Sequence, residues 1–320
     1  MSHAPMPIAT RTSPLALAQA HDLQRRLAEA AGADDAEAAF PILGLSTTGD
    51  QITDRALLAA GGKGLFTKEL ETALLAGEAR FAVHSMKDVP TRLPDGLKIA
   101  AILEREDPRD VLLAAGDRAR IEDLPQGATL GTASIRRQAQ ALALRPDLQI
   151  ALLRGNVDTR LSKVRSGEVD ATFLARAGLR RLGRAEAERT PLDTTAILPA
   201  PAQGCVGVEI RTGDGEAEAV LAKVNHLESQ IRAAAERGVL EALDGSCRTP
   251  IAAHAELTGA EIHLRAEALT PDGKMRWADE TRVTLPELTP PAAAALGREL
   301  GAQIKRAGGE TLARVVAETG

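Results

Sequence analysis

Arg136 and Arg137 open a helical pattern directly after a predicted strand, Arg154 closes the next strand, and Arg160 begins the helix after that. All four fall at the carboxyl ends of predicted parallel strands. Open α/β sheets bind ligands at that edge, where helix N-termini also offer N–H groups to anions. Thr132 and Ser134 add hydroxyl donors. Between Gly131 and Lys163, five arginines and one lysine meet two aspartates in a chain of net charge -5, so positive charge is concentrated locally, as a polyanion site requires. Guanidinium groups hold planar carboxylates with paired hydrogen bonds that lysine cannot match. The same spacing suits a solvated helix face paired with its neighbours, and the residues alone leave both readings open.

A similar arrangement stands near the start of the chain. Arg11 follows a predicted strand and Ser13 caps the next helix, which allows these residues to form the facing half of one cleft. The run Val83-His84-Ser85-Met86-Lys87-Asp88 leaves another strand with a cation beside a carboxylate. A carboxylate among cations stays ionised and can stabilise a cationic intermediate or move protons, although Lys87 and Asp88 equally suit a plain surface pair. His84, inside an apolar strand, reads as a packed core histidine. Gly61-Gly62-Lys63-Gly64 lacks the frame of a phosphate loop and reads as a lid or hinge. Of the two cysteines, Cys205 sits in an apolar strand and reads as inert. Cys247, in a turn-like loop next to Arg248, is a candidate reactive thiol. Neither has the spacing of a zinc site or a disulfide framework, so no metal is expected.

The elements that must position these groups follow from periodicity. Strands are predicted at 8–10, 41–45, 81–84 and 97–102, with helices from Ser13-Pro14 to about 30 and over 65–75; this βαβ rhythm predicts a parallel sheet. The rhythm restarts with strands at 111–113, 129–131, 149–153 and 171–174 and helices at 135–144 and 157–164. Pro199 and Pro201 punctuate the chain before an apolar strand at 205–210 that can return to the first sheet. A long helix over 217–242 and three alternating strands at 251–257, 262–269 and 275–283 then predict an antiparallel sheet, closed by helices from Pro291 onward. The domains expected are 1–103 plus 203–216, 104–202 and 217–320. A chain of 320 residues can give each its own core. Net acidity and an aromatic content of 2% argue against nucleic-acid binding, and no stretch has the length of a signal peptide's apolar core or a membrane span, so a cytoplasmic protein is expected.

Nine segments in order, IATRTSPLALAQA, GGKGLFTKELE, AVHSMKDVPTRLPDGL, EREDPRDVLL, GTASIRRQAQ, RPDLQIALLRGNVDTRLSKV, AGLRRLG, LPAPAQGCVGVEIR and LDGSCRTPIAAHAEL, resemble the porphobilinogen deaminase (hydroxymethylbilane synthase) family over nearly the whole chain. The resemblance implies an α/β fold of two periplasmic-binding-protein-like (type II) lobes with a small α+β third domain. It implies a cytoplasmic, monomeric transferase of porphyrin biosynthesis that condenses four porphobilinogen molecules, with loss of ammonia, onto a dipyrromethane cofactor, then releases hydroxymethylbilane by hydrolysis. On this resemblance Cys247 carries the cofactor through a thioether, and Asp88 is the catalytic carboxylate that stabilises the cation formed as ammonia leaves. Lys87, Asp88, Thr132, Ser134, Arg136, Arg137, Arg154 and Arg160 match the family's cofactor-binding groups. Arg11, Ser13, Arg154, Arg160, Arg181 and Gln203 match its substrate-binding groups, and Lys63 and Phe66 its lid. Departures are Ser246 where glycine is usual, Thr249 where valine is common, and Cys205 in the QGxVG stretch. A non-catalytic two-lobed binder of a small polycarboxylate is the alternative, but it gives Cys247 no purpose.

Overall fold

Short apolar runs form the strands, and side-chain caps start several of the helices between them. The computed structural model describes residues 4–51, 64–114, 116, 120–246, 249–284 and 287–319. In chain order its elements are β1 (Ile8–Arg11), α1 (Pro14–Ala31), α2 (Ala36–Ala39), β2 (Ile42–Leu45), α3 (Thr48–Gln51), α4 (Lys68–Ala76), β3 (Phe81–Ser85), β4 (Leu97–Ile102) and β5 (Asp110–Ala114). There follow β6 (Thr129–Gly131), α5 (Ile135–Leu144), β7 (Gln149–Ala151), α6 (Val157–Arg165), β8 (Ala171–Ala175), α7 (Arg176–Arg181) and β9 (Val206–Arg211). The last are α8 (Gly215–Ala222), α9 (Leu227–Ala242), β10 (Ile251–Thr258), β11 (Glu261–Leu269), β12 (Arg276–Thr284) and α10 (Pro290–Thr319), which breaks at Gly309. The α/β class expected from the sequence is what forms.

Among the described residues, 4–51, 64–106 and 205–230 make one compact unit, and 107–204 and 231–319 make another. The first unit holds a five-stranded sheet in the order β2-β1-β3-β9-β4, over a core that includes Ile8, Leu23, Phe81, Val208 and Leu221. This sheet is mixed where a parallel one was predicted: β1 runs parallel to β2 and β3, but β9 runs antiparallel to β3 and β4. The cause is β9, which returns from a distant part of the chain and inserts between two strands that local sequence would make neighbours.

In the second unit a four-stranded sheet runs β5-β8-β6-β7, with β6 parallel to β7 and β8 and β5 antiparallel at the edge. The same unit contains the antiparallel β10-β11-β12 sheet, packed with α9 and α10 around Ile231, Val239, Leu264 and Ile304. Gln138 Nε2 on α5 donates to Pro271 O at 3.1 Å, fixing the β11–β12 turn against that helix.

The single helix predicted over 217–242 is two helices, α8 and α9. Asn225 Oδ1 accepts from Ile102 N–H at 2.9 Å, and His226 N–H donates to Ile102 O at 2.8 Å, so this stretch serves the end of β4 instead of a helical ladder. His226 Nδ1 then accepts from Ser229 N–H at 3.3 Å, starting α9.

Candidate functional site

In the first unit, β1 and β3 lie side by side and parallel, so Arg11 and the Met86–Asp88 turn leave the sheet at the same edge. Ser13 Oγ accepts from Ala16 N–H at 3.4 Å as the N-cap of α1, with Pro14 at its first turn. The Arg11 guanidinium carbon lies 4.3 Å from the centroid of the Phe66 ring, a cation–π contact. Gly49 makes room for that ring, since a Cβ there would stand 2.3 Å from Phe66 Cε1 and 2.8 Å from Leu65 O.

Lys87 and Asp88 are half-buried and held from beneath. Met86 is buried, its N–H donates to Cys205 O at 3.0 Å, and a Cβ on Gly207 would stand 2.1 Å from its sulfur. The turn that carries Lys87 and Asp88 is thus held through Met86. His84 is a core histidine as expected; its Nε2 lies 2.8 Å from Glu209 Oε2, and both side chains are buried. Cys205 is buried immediately before β9. Lys63, Cys247 and Arg248 lie outside the described residues.

In the second unit, β6, β7 and β8 run parallel, so Thr132, Ser134, Arg154 and α7 all follow carboxyl ends of neighbouring strands. Strand β7 ends at Ala151 and not at the predicted 153. Thr132 N–H still donates to Ala151 O at 2.9 Å, and Leu153 N–H reaches Thr132 O at 3.4 Å, which carries Arg154 onto the following loop. Thr132 Oγ1 accepts from Ser134 N–H at 3.1 Å, and Ser134 Oγ accepts from Arg137 N–H at 3.4 Å, capping α5. Asn156 Oδ1 caps α6 by accepting from Thr159 N–H at 2.9 Å, and Arg160 Nε donates to Gly155 O at 3.0 Å. Arg154 and Arg160 are half-buried.

Arg136 and Arg137 differ from the exposed cradle that their spacing suggested: they are only 4% and 5% exposed. Between them lies Asp110, which directly precedes the strand predicted at 111–113. Because β5 runs antiparallel to β8, Asp110 pairs with Ala175 and sits at the same sheet edge as the strand ends. Its carboxylate accepts from Arg136 Nη2 at 2.9 Å and from Arg137 Nε and Nη2 at 3.1 and 2.8 Å. Arg136 Nη1 also donates to Leu198 O (2.6 Å), and Arg137 Nη1 to Phe173 O (3.0 Å).

Gln203, expected to meet substrate, is buried in this network, its Nε2 donating to Pro108 O at 2.6 Å and Asp110 Oδ1 at 2.8 Å. Arg181 Nη2 donates to Gly204 O at 2.8 Å, and Arg176 Nη1 pairs with Asp107 at 2.9 Å. A signal for Asp110 did exist in the sequence: an aspartate opening a wholly apolar strand is buried only if cations come to it.

Burial alone would raise the Asp110 carboxyl, but the charges of Arg137 and Arg136, with their hydrogen bonds, hold it well below the usual carboxylate range. Burial pushes the Arg136 guanidinium down, against the pull of Asp110. Farther out, Glu267, its carboxyl raised by burial, pairs with Arg276 at 2.6 Å and acts electrostatically on Arg136. Two buried cations, Arg136 and Arg137, therefore share the one carboxylate of Asp110, while Arg276 balances Glu267. Arg136 Nε is buried with no hydrogen-bond partner among the described residues. A donor set of guanidinium and hydroxyl groups with an excess cation fits a ligand bearing several carboxylates.

Residues 6–219 match the family model described as "Porphobilinogen deaminase, dipyromethane cofactor binding domain", and residues 230–306 match "Porphobilinogen deaminase, C-terminal domain". Similar curated proteins include porphobilinogen deaminases from Caulobacter vibrioides, 51% identical over 96% of this chain and 97% of the relative, and from Phenylobacterium zucineum, 49% identical over 95% and 97%. Among solved structures, a Bordetella pertussis BvgS VFT2 domain aligns at 17% identity and a TM-score of 0.42, covering 69% of this chain and 87% of that one. A Brucella ovis periplasmic binding protein with glutathione bound aligns at 14% identity and a TM-score of 0.42, covering 75% and 69%. The chain belongs to the porphobilinogen deaminase family.

Proposed function

We propose that this chain condenses four porphobilinogen molecules, with loss of ammonia at each addition, and then releases hydroxymethylbilane by hydrolysis. The observation that carries this reading is the arginine cluster, in which Arg136 and Arg137 share one buried carboxylate and keep positive charge beside Thr132 and Ser134. Thr132, Ser134, Arg136, Arg137, Arg154 and Arg160 would hold the dipyrromethane cofactor by its carboxylates, and Lys87 and Asp88 are the first unit's proposed cofactor-binding groups. Cys247 would attach it. When bound, the cofactor supplies the primer to which substrate is added.

The chain's own groups divide the remaining work. Arg11, Ser13, Arg154, Arg160 and Arg181 would bind the acetate and propionate groups of porphobilinogen, and Lys63 and Phe66 would cover it. Asp88 would stabilise charge: as the bond from the aminomethyl carbon to nitrogen breaks, ammonia takes the electron pair, and the pyrrole left behind is cationic. A carboxylate near its ring nitrogen lowers that barrier, and the Met86 clamp keeps it from moving away as charge develops. Gln203 enters this reading as a partner of Asp110, in view of its bonds.

The reading includes a cytoplasmic monomer that binds neither nucleic acid nor membrane; no helix among the described residues is long and apolar enough to cross a membrane. It keeps the three-part division at 1–103 plus 203–216, 104–202 and 217–320, supported by three separate sheets. Intact mass is the test. The purified protein should exceed its sequence mass by two pyrrole units, and Cys247→Ser should not; a bare mass for the parent chain would overturn covalent attachment.

A further inference from the structure

Among the described residues the chain passes between its two units at Gln230/Ile231, within α9, and at two non-helical passages, Glu106/Asp107 and Gly204/Cys205. Both non-helical passages are fastened by side chains within the second unit. Asp107 is held by Arg109 Nη2 at 2.7 Å and Arg176 Nη1 at 2.9 Å, and Gly204 O accepts from Arg181 Nη2 at 2.8 Å. Gln203 joins them, because one amide nitrogen donates to Pro108 O beside the first passage while its own backbone immediately precedes the second. The same nitrogen donates to Asp110 Oδ1, the oxygen that also accepts from Arg137 Nη2. The backbone before Gln203 is anchored too: Leu198 O accepts from Arg136 Nη1 at 2.6 Å and Gln140 Nε2 at 3.0 Å, and Ala202 N–H donates to Glu236 Oε2 at 2.6 Å. One buried carboxylate thus stands at the junction of the arginine pair and both passages.

We propose that Asp110 and Gln203 are positioning residues that tie the ligand-binding arginine pair to the two non-helical segments through which the chain passes between its units, so that loading Arg136 and Arg137 is felt at both of those passages. The inference rests on the reading that this pair receives the cofactor's carboxylates. The physical reason is the shared acceptor. A ligand carboxylate that draws a guanidinium toward itself weakens that group's hold on Asp110, and Asp110 compensates through its other donors, Gln203 among them.

Amide hydrogen exchange tests the tie, comparing the cofactor-loaded chain with Cys247→Ser, which lacks the attachment point. Exchange in 104–108 and 203–206 should be slower in the loaded parent. In Gln203→Met, which leaves the arginine–aspartate pairs intact, the chain should still gain two pyrrole units of mass but lose most of that load-dependent difference, with kcat and KM for porphobilinogen shifting together and kcat falling about tenfold. A Gln203→Met chain that retains the full difference and parental kinetics would overturn the proposal. Asp110→Asn should lose the difference too; should it not fold, Gln203→Met alone decides. Arg137→Lys separates the two levels: normal cofactor uptake and turnover in that variant would refute the assignment of the pair to the cofactor, while the Gln203→Met comparison still reports on the tie.

Discussion

The two sheet edges that carry the candidate groups are built on opposite terms. In the second unit, Arg136 and Arg137 are buried, and Asp110 neutralises much of their charge before any ligand arrives. In the first unit, Arg11, Lys87 and Asp88 are half-buried, and the loop carrying Lys87 and Asp88 is held by packing beneath it, Met86 over Gly207, while the Phe66 ring lies over Arg11. The difference suits two tasks. A cofactor that stays bound is well served by cations fixed in advance, whereas a group that meets successive substrates must remain reachable.

If that contrast holds, the largest effect on chemistry lies at the open edge. Asp88→Ala should still acquire the cofactor mass but turn over about a hundredfold or more slowly, as expected for loss of a positioned charge in the transition state. Its melting temperature should stay near that of the parent, and near-parental turnover would remove Asp88 from the chemistry.

The largest effect on stability should lie at the closed edge. Asp110→Ala strands two buried guanidinium groups and should cost about 3–5 kcal/mol in urea unfolding, with cofactor uptake falling in parallel. A smaller loss would mean that Glu267 or solvent compensates for the missing charge.

Between these extremes, Gly207→Ala pushes a methyl group against the Met86 sulfur and should cost about 1–3 kcal/mol. Turnover should fall with it, because the Asp88 turn must shift.

Acid pH gives a smaller, graded test. Burial would raise Asp107, but its bonds from Arg109 and Arg176 bring its carboxyl down to about 2. A carboxyl depressed in the folded state contributes stability that is complete above its ordinary value of about 4 and is lost as pH falls toward 2. Asp107→Asn should therefore flatten the dependence of stability on pH between about 4 and 2, as followed by urea titration, and leave the slope near neutrality unchanged.

The smallest expected change is Phe66→Leu, which removes the ring over Arg11. A contact worth roughly 0.5–1 kcal/mol should appear as a few-fold change in KM for porphobilinogen. An unaltered KM would detach Arg11 from substrate binding or Phe66 from Arg11.

Much of this organisation was legible because it is local. Ser13-Pro14 fixes the start of α1, Ser134 that of α5, and strand β6 begins and ends where the apolar pattern does. Two exceptions share one cause. The helix predicted over 217–242 breaks because Asn225 and His226 bond to Ile102, more than a hundred residues earlier. The first sheet is mixed because β9 arrives from beyond the second lobe. Neither partner is visible in a window of neighbouring residues.

By itself the sequence determined the α/β class, the starts of α1, α5 and α6, the concentration of arginines at strand ends and the family. Only the tertiary structure decided how those arginines are used: Asp110 stands 26 and 27 positions from Arg136 and Arg137, yet its carboxylate lies within hydrogen-bonding distance of both. Electrostatic compensation depends on distance through space and on exclusion of water, and strand order sets both.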